Sequence, residues 1–186
     1  MQDLTAHLLV AAADMEDPQF SRTVVLLLRH SAEEGAMGLV LNRPIAISPA
    51  EIFSSVSDEI EVPDGVPVCW GGPVQGPLVV MHQQDELSDL TVMPGVCIST
   101  QRDRILELLR MDRRPYRFYL GYSGWGKQQL EGECQLGGWH THQATSEFVF
   151  ADPYEMWAAA CGQVSWQVMQ QDPRVARSKP SDPNLN

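Results

Sequence analysis

The chain has 186 residues, 44% of them hydrophobic, and carries 13 Lys and Arg against 24 Asp and Glu, a formal net charge of −11. That length and apolar content suit one domain with a real core. Nucleic-acid affinity rests on neutralising phosphates with Lys and Arg, so a surface this acidic disfavours direct duplex DNA binding. The charge is uneven: residues 1–100 hold three arginines, no lysine and 14 acidic residues.

The N-terminal Met1-Gln2-Asp3-Leu4-Thr5 has no basic stretch leading into an apolar one, so no secretory signal is read there. No apolar run approaches the ~20 residues needed to span a bilayer. Cys69, Cys97, Cys134 and Cys161 form no C-x-x-C pair and read as reduced, mostly buried side chains. The expectation is a soluble cytoplasmic protein without a membrane segment.

Strands are expected at His7–Ala12, Thr23–Leu28 and Met37–Asn42, then a helix opened by Ser48-Pro49-Ala50-Glu51, an N-cap serine with a reciprocal glutamate. Strands at Val66–Trp70, Leu78–His82 and Val96–Thr100 lead to a second helix from Thr100-Gln101-Arg102-Asp103, with Ile105, Leu108 and Leu109 on one face. A strand over Arg117–Tyr122 runs into a glycine-rich loop and a short helix that buries Leu130 and Cys134. Strands at Gly138–Thr141 and Glu147–Ala151 precede a last helix from Asp152-Pro153-Tyr154-Glu155, with Met156, Trp157, Ala160, Cys161 and Val164 as its apolar stripe. Several strands are nearly continuous apolar runs, which suggests burial on both faces. Strands in groups of three followed by a helix predict an α+β fold with a mixed, strongly bent sheet and about four helices. One domain spans 1–169, and residues 170–186, with three prolines, form a mobile tail.

The most informative segment is Gly121-Tyr122-Ser123-Gly124-Trp125-Gly126 running into Gln129-Leu130-Glu131. Glycines at that density let the backbone turn sharply and approach another surface closely. Neither a dinucleotide-type Gly-x-Gly-x-x-Gly nor a hydrolase-type Gly-x-Ser-x-Gly is present, because Gln129 and Trp125 stand where glycines are required. Taken with Leu8-Leu9-Val10-Ala11, Met15-Glu16-Asp17-Pro18-Gln19-Phe20, Gly35 to Pro44, Gly71-Gly72-Pro73-Val74 and Trp139, in that order, the chain resembles the YqgE/AlgH family of bacterial proteins across about residues 7–169. The resemblance implies an α+β fold whose mixed sheet is barrel-like, and a cytosolic protein. It also implies a family named for a proposed regulatory role in alginate production, whose general activity is not established. Ala12-Ala13-Asp14, Lys127 and His140-Thr141-His142 depart from the family pattern.

Three turns, Asn42-Arg43-Pro44, Gly71-Gly72-Pro73 and Gly121 to Gly126, each follow a strand. If two of those strands are parallel neighbours, the exits share one sheet edge, where ligands gather; otherwise each turn solves its own backbone problem. The binding candidates are Asn42, Arg43, Gly71, Gly72, His82, Ser123, Gly124, Trp125, Gln129 and Glu131. Arg43 suits a carboxylate or phosphate, with Glu16, Asp17 or Glu131 as internal partners, and His82 can serve as a base beside Ser123 or Cys69. His140 and His142 at i, i+2, and the acids Asp14, Glu16 and Asp17, have spacings that admit a metal, but solvated side chains explain them as well, and no metal or cofactor is assigned. Arg110, Arg113, Arg114 and Arg117 form one basic patch. The leading reading is a non-enzymatic regulatory or interaction protein that binds a protein or small-molecule partner. The alternative is an enzyme or ligand sensor sited where Asn42-Arg43, Gly71-Gly72 and Ser123-Trp125 meet. Direct DNA binding is the weakest reading, on charge.

Overall fold

The computed structural model describes residues 3–31, 33–53, 65–111 and 113–171. Among the described residues, ten strands form two five-stranded sheets. The first has the order β10-β1-β2-β3-β9, built from β1 (His7–Ala11), β2 (Val24–Ser31), β3 (Gly35–Val40), β9 (Ser123–Trp125) and β10 (Trp139–Gln143), all antiparallel. The second has the order β4-β8-β5-β7-β6, from β4 (Val68–Trp70), β5 (Val79–His82), β6 (Leu90–Met93), β7 (Val96–Ser99) and β8 (Tyr116–Leu120), with β4 and β8 parallel. Five α-helices are present among the described residues: α1 (Pro49–Phe53), α2 (Arg102–Met111), α3 (Gln129–Gln135), α4 (Ser146–Val149) and α5 (Met156–Gln171).

The expected single, strongly bent and barrel-like sheet is therefore corrected to two sheets, neither closed nor strongly curled. The cause lies between β8 and β9. Gly121 adopts φ +73°, and that turn carries the chain out of one sheet and into the other. The expected strand at Glu147–Ala151 is the helix α4, which makes five helices instead of four. Its short apolar run fits either period, and the Thr145 hydroxyl accepts the Phe148 N–H at 3.2 Å as an N-cap. Two strands lie outside the expected set: β6, whose side chains are mostly half-buried, and β9, which lies inside the glycine loop. Val164's side chain and residues 172–186 of the expected tail lie outside the described residues, whereas Gln170 and Gln171 end α5.

Alternation along the strands divides the apolar side chains into layers. Leu8, Val10, Val24, Leu26 and Leu39 face the central core, together with Met81, Ile98 and Tyr119 of the second sheet and Met156 and Ala160 of α5. Leu9, Ala11, Val25, Leu27 and Val40 face the other way, against Trp125, Leu130 and Trp139. The far face of the second sheet, with Val80 and Phe118, packs on Ile105, Leu108 and Leu109 of α2. Each fully buried Leu or Val contributes roughly 1.5–3 kcal/mol. Ser48 and Glu51 form the reciprocal cap, with Ser48 N–H on Glu51 Oε2 at 2.6 Å and Glu51 N–H on Ser48 Oγ at 3.2 Å.

Arg117 does not belong to a solvated basic patch. It is 6% exposed and donates to the carbonyls of Leu41, Val149, Phe150 and Ala151, the last at 2.9 Å, so it ties the end of α4 to the first sheet's rim. Arg110 and Arg113 do lie outside, paired with Glu107 and Glu86.

The three turns meet at the join between the sheets. Gly71 N–H donates to the Leu120 carbonyl and Gly71 O accepts from Val40 N–H, while Tyr122 and Val74 exchange both backbone bonds at 2.9 Å. A Cβ on Gly71 would lie 2.3 Å from Gly121 O, and one on Gly72 would lie 2.2 Å from Tyr122 C. Gly72→Ala is expected to cost about 3 kcal/mol or more, because the new methyl meets backbone that cannot swing aside. Gly132→Ala has open space around its Cβ in α3, and should stabilise by up to about 1 kcal/mol. Urea denaturation of the two variants checks both signs.

Candidate functional site

Glu133 organises a polar network on α3. Its Oε2 accepts the indole N–H of Trp125 at 2.9 Å and that of Trp139 at 2.8 Å. Its Oε1 accepts from Gln129 Nε2 at 2.9 Å, the i, i+4 neighbour on α3. Gln129 Oε1 in turn accepts Gly126 N–H at 3.0 Å, which fixes the end of the glycine loop. Trp125 comes from β9 and Trp139 from β10, the outer strands of the first sheet, so one carboxylate on α3 fixes an indole from each. Phe20 completes the aromatic group, 6.1 Å from Trp125 and edge-on to Trp139 at 5.5 Å.

These side chains line a cleft of about 750 Å³, with Asp14, Glu16 and Asp17 at its rim and, among the described residues, no Lys or Arg in its lining. The exposed Leu136 and the backbone of Gly137-Gly138 close the far side. Carboxylates beside aromatic rings favour a cation: the ring quadrupole attracts positive charge by about 0.5–2 kcal/mol, and the carboxylates add charge-assisted hydrogen bonds. A second cleft, about 780 Å³, lies on the other side of the same loop and is lined by Pro18, Ser21, Arg22, Asn42, Arg43, Pro153, Tyr154, Trp157 and Ala158.

The residues singled out from the sequence are distributed between these places. Gly124, Trp125 and Gln129 line the acidic cleft, and Asn42 and Arg43 line the second. Gly71, Gly72 and Ser123 sit in the join, where backbone fills the space; Ser123 is 0% exposed and its hydroxyl donates to Gly71 O at 3.3 Å. The turns thus meet through their main chains, while their side chains leave in different directions. Glu131 is buried and accepts from His30 Nε2 at 3.1 Å, since His30 Nδ1 already accepts Leu4 N–H. Arg43 pairs with none of Glu16, Asp17 or Glu131; it donates to the Ser21 carbonyl at 2.6 Å. His140 is exposed and His142 buried, and among the described residues no three His, Cys, Asp or Glu side chains cluster as a metal would need. Sequence reasoning missed Glu133. The available signal was its i, i+4 relation to Gln129 and its place between two tryptophans.

His82 is 0% exposed and stands beside neither Ser123 nor Cys69 as a base. Its Nδ1 accepts Gln84 N–H at 3.1 Å, so Nε2 carries the proton and donates to Ser99 Oγ at 2.8 Å. The Ser99 hydroxyl donates onward to the Leu87 carbonyl. Proton placement therefore runs opposite to what a base activating Ser99 requires. Burial pushes the Cys69 thiol up to about 11, far from a reactive thiolate.

Burial also holds His82 and His142 below the ordinary imidazole value of 6.5. The unfolded chain then binds protons more readily than the folded one. Their contribution to stability is fully present above pH 6.5 and is lost as pH falls through the lowered folded values. Urea midpoints should therefore decrease from about pH 7 to about pH 5, less steeply in His82→Gln. Glu133→Leu should cost about 2–4 kcal/mol, because two indole N–H groups lose their acceptor, and it should shift tryptophan emission at full folding.

A family model described as AlgH-like (DUF179) matches residues 8–169. A UPF0301 protein of Chlorobaculum tepidum is 39% identical over 158 residues, covering 81% of each chain. One from Cupriavidus pinatubonensis is 42% identical over 160 residues, covering 82% of this chain and 83% of its own. Among solved structures, the solution structure of AlgH from Pseudomonas aeruginosa matches with TM-score 0.72 and 28% identity, over 97% of this chain and 96% of that one. The crystal structure of DIP2367 from Corynebacterium diphtheriae shares the fold, with TM-score 0.66 and 21% identity over 96% and 93% of the chains. With its motifs and these matches in agreement, the chain belongs to the AlgH-like family.

Proposed function

We propose that this protein is a non-enzymatic cytoplasmic binding protein, a single AlgH-like unit over residues 1–169, whose acidic cleft captures a cationic group displayed by a partner protein. The observation that carries the reading is Glu133, which holds two indoles at the floor of a cleft rimmed by Asp14, Glu16 and Asp17 and lined by no basic side chain among the described residues. An arginine side chain matches that lining: its planar guanidinium stacks on aromatic faces and bonds carboxylates. The buried, committed states of His82, Ser123 and Cys69 support binding over catalysis. Charge supports a protein partner over DNA, so a regulatory effect would act through that partner.

Calorimetric titration with the blocked tripeptide acetyl-Gly-Arg-Gly-amide tests this. Saturable binding at about 1 mM or tighter is expected at low salt. Asp14→Asn/Glu16→Gln/Asp17→Asn should weaken it by about tenfold, the loss of one charge-assisted contact. Equal binding of the citrulline analogue, which lacks the charge, would contradict the proposal.

A further inference from the structure

The second cleft has the opposite chemistry. Residues 1–100 contain three arginines, Arg22, Arg29 and Arg43, and two of them converge here. Neither is ion-paired with a carboxylate among the described residues. The Arg22 guanidinium lies 5.8 Å from the Trp157 ring centroid, and Arg43 has one nitrogen on Ser21 O. Among the described residues, no Asp or Glu lines the cleft. Asp152, the nearest acid in sequence to its Pro153 wall, spends a carboxylate oxygen on Tyr154 N–H at 2.9 Å.

The scaffold under the two guanidiniums is fully committed. Asn42 Oδ1 accepts Val24 N–H at 2.8 Å, and its Nδ2 donates to Arg22 O at 2.9 Å. That second bond holds Arg22 at φ +57°, in the left-handed region. Trp157 is pinned through its indole N–H to Ala11 O at 3.0 Å, leaving its ring face to Arg22. Asn42 and Trp157 are thus supports, and the free donors belong to the arginines. Pro153, Tyr154, Trp157 and Ala158 bring the start of the 16-residue α5 to the same wall, and its dipole adds positive potential. Tyr154 is 82% exposed.

We infer that this cleft binds a mononucleotide, a sugar phosphate monoester that carries a planar base, with the phosphate between Arg22 and Arg43 and the base on Tyr154. Two guanidiniums match a phosphate dianion in charge and in fork geometry. An exposed tyrosine offers a base the stacking that single-strand binders use. The site is distinct from the acidic cleft, and the inference stands without the reading proposed for that cleft.

Titration calorimetry with AMP, inorganic phosphate and adenosine at low salt tests it. AMP is expected to bind one to one, and each of Arg22→Gln and Arg43→Gln should weaken it by about tenfold or more. Tyr154→Ala, an exposed position that should leave folding intact, should weaken AMP about fivefold and leave inorganic phosphate unchanged. Absence of saturable AMP binding overturns the inference, as does an Arg22→Gln affinity within a factor of about two of the parent. Inorganic phosphate binding as tightly as AMP removes the ring contact and overturns it too. Tighter binding of a single-stranded oligonucleotide than of AMP would make the ligand a polymer and contradict it equally.

Discussion

Where the two sheets join, main chain rests directly on main chain. Gly71 and Gly72 leave β4 and press against Gly121 and Tyr122 at distances that no Cβ tolerates. The hydrogen bonds that close this contact, Gly71 to Leu120 and Val40 and Tyr122 to Val74, satisfy backbone groups that would otherwise be buried and unpaired. The rest follows from that contact. It divides ten strands into two sheets and sends β9 back to pair with β3. It thereby sets Trp125 on the face where α3 packs.

The acidic cleft is a consequence of that placement. Once β9 lies at the rim of the first sheet, Trp125 and Trp139 each present an indole N–H in a half-dry environment, and leaving either unpaired is costly. Glu133 answers both with one oxygen, and Gln129 uses the other. A carboxylate held this way forms the floor of an aromatic recess, a setting that suits cations. The loop from Asp14 to Arg22 then separates two electrostatic environments, with acids toward Trp125 and arginines toward Trp157. Net charge alone conceals that division.

Local chemistry was legible in the sequence where it is written locally. Ser48 and Glu51 announced their cap, and the apolar run from Val24 to Leu28 announced burial on both faces, which the layers around β2 realise. The family was legible too, from the order of its motifs. Tertiary context decided the remainder. Phe148-Val149-Phe150 has no period long enough to separate strand from helix, so Thr145 capping settled it as α4. Glu133 and Glu131 sit two residues apart on one short helix, and only packing shows that the first serves the cleft while the second is buried against His30. Arg117 reads as one of four clustered arginines, yet strand alternation turns it inward onto carbonyls at the end of α4.

Capture of a cationic group by the acidic cleft is reported directly by the indole N–H signals of Trp125 and Trp139, because both bond to the carboxylate at its floor. In a ¹⁵N-resolved NMR titration with an arginine-bearing peptide, those two signals should move together and saturate, while the signal of Trp157, bonded to Ala11 O beside the other cleft, stays in place. Movement of the Trp157 signal with those of Trp125 and Trp139 unmoved would rule out capture in the acidic cleft.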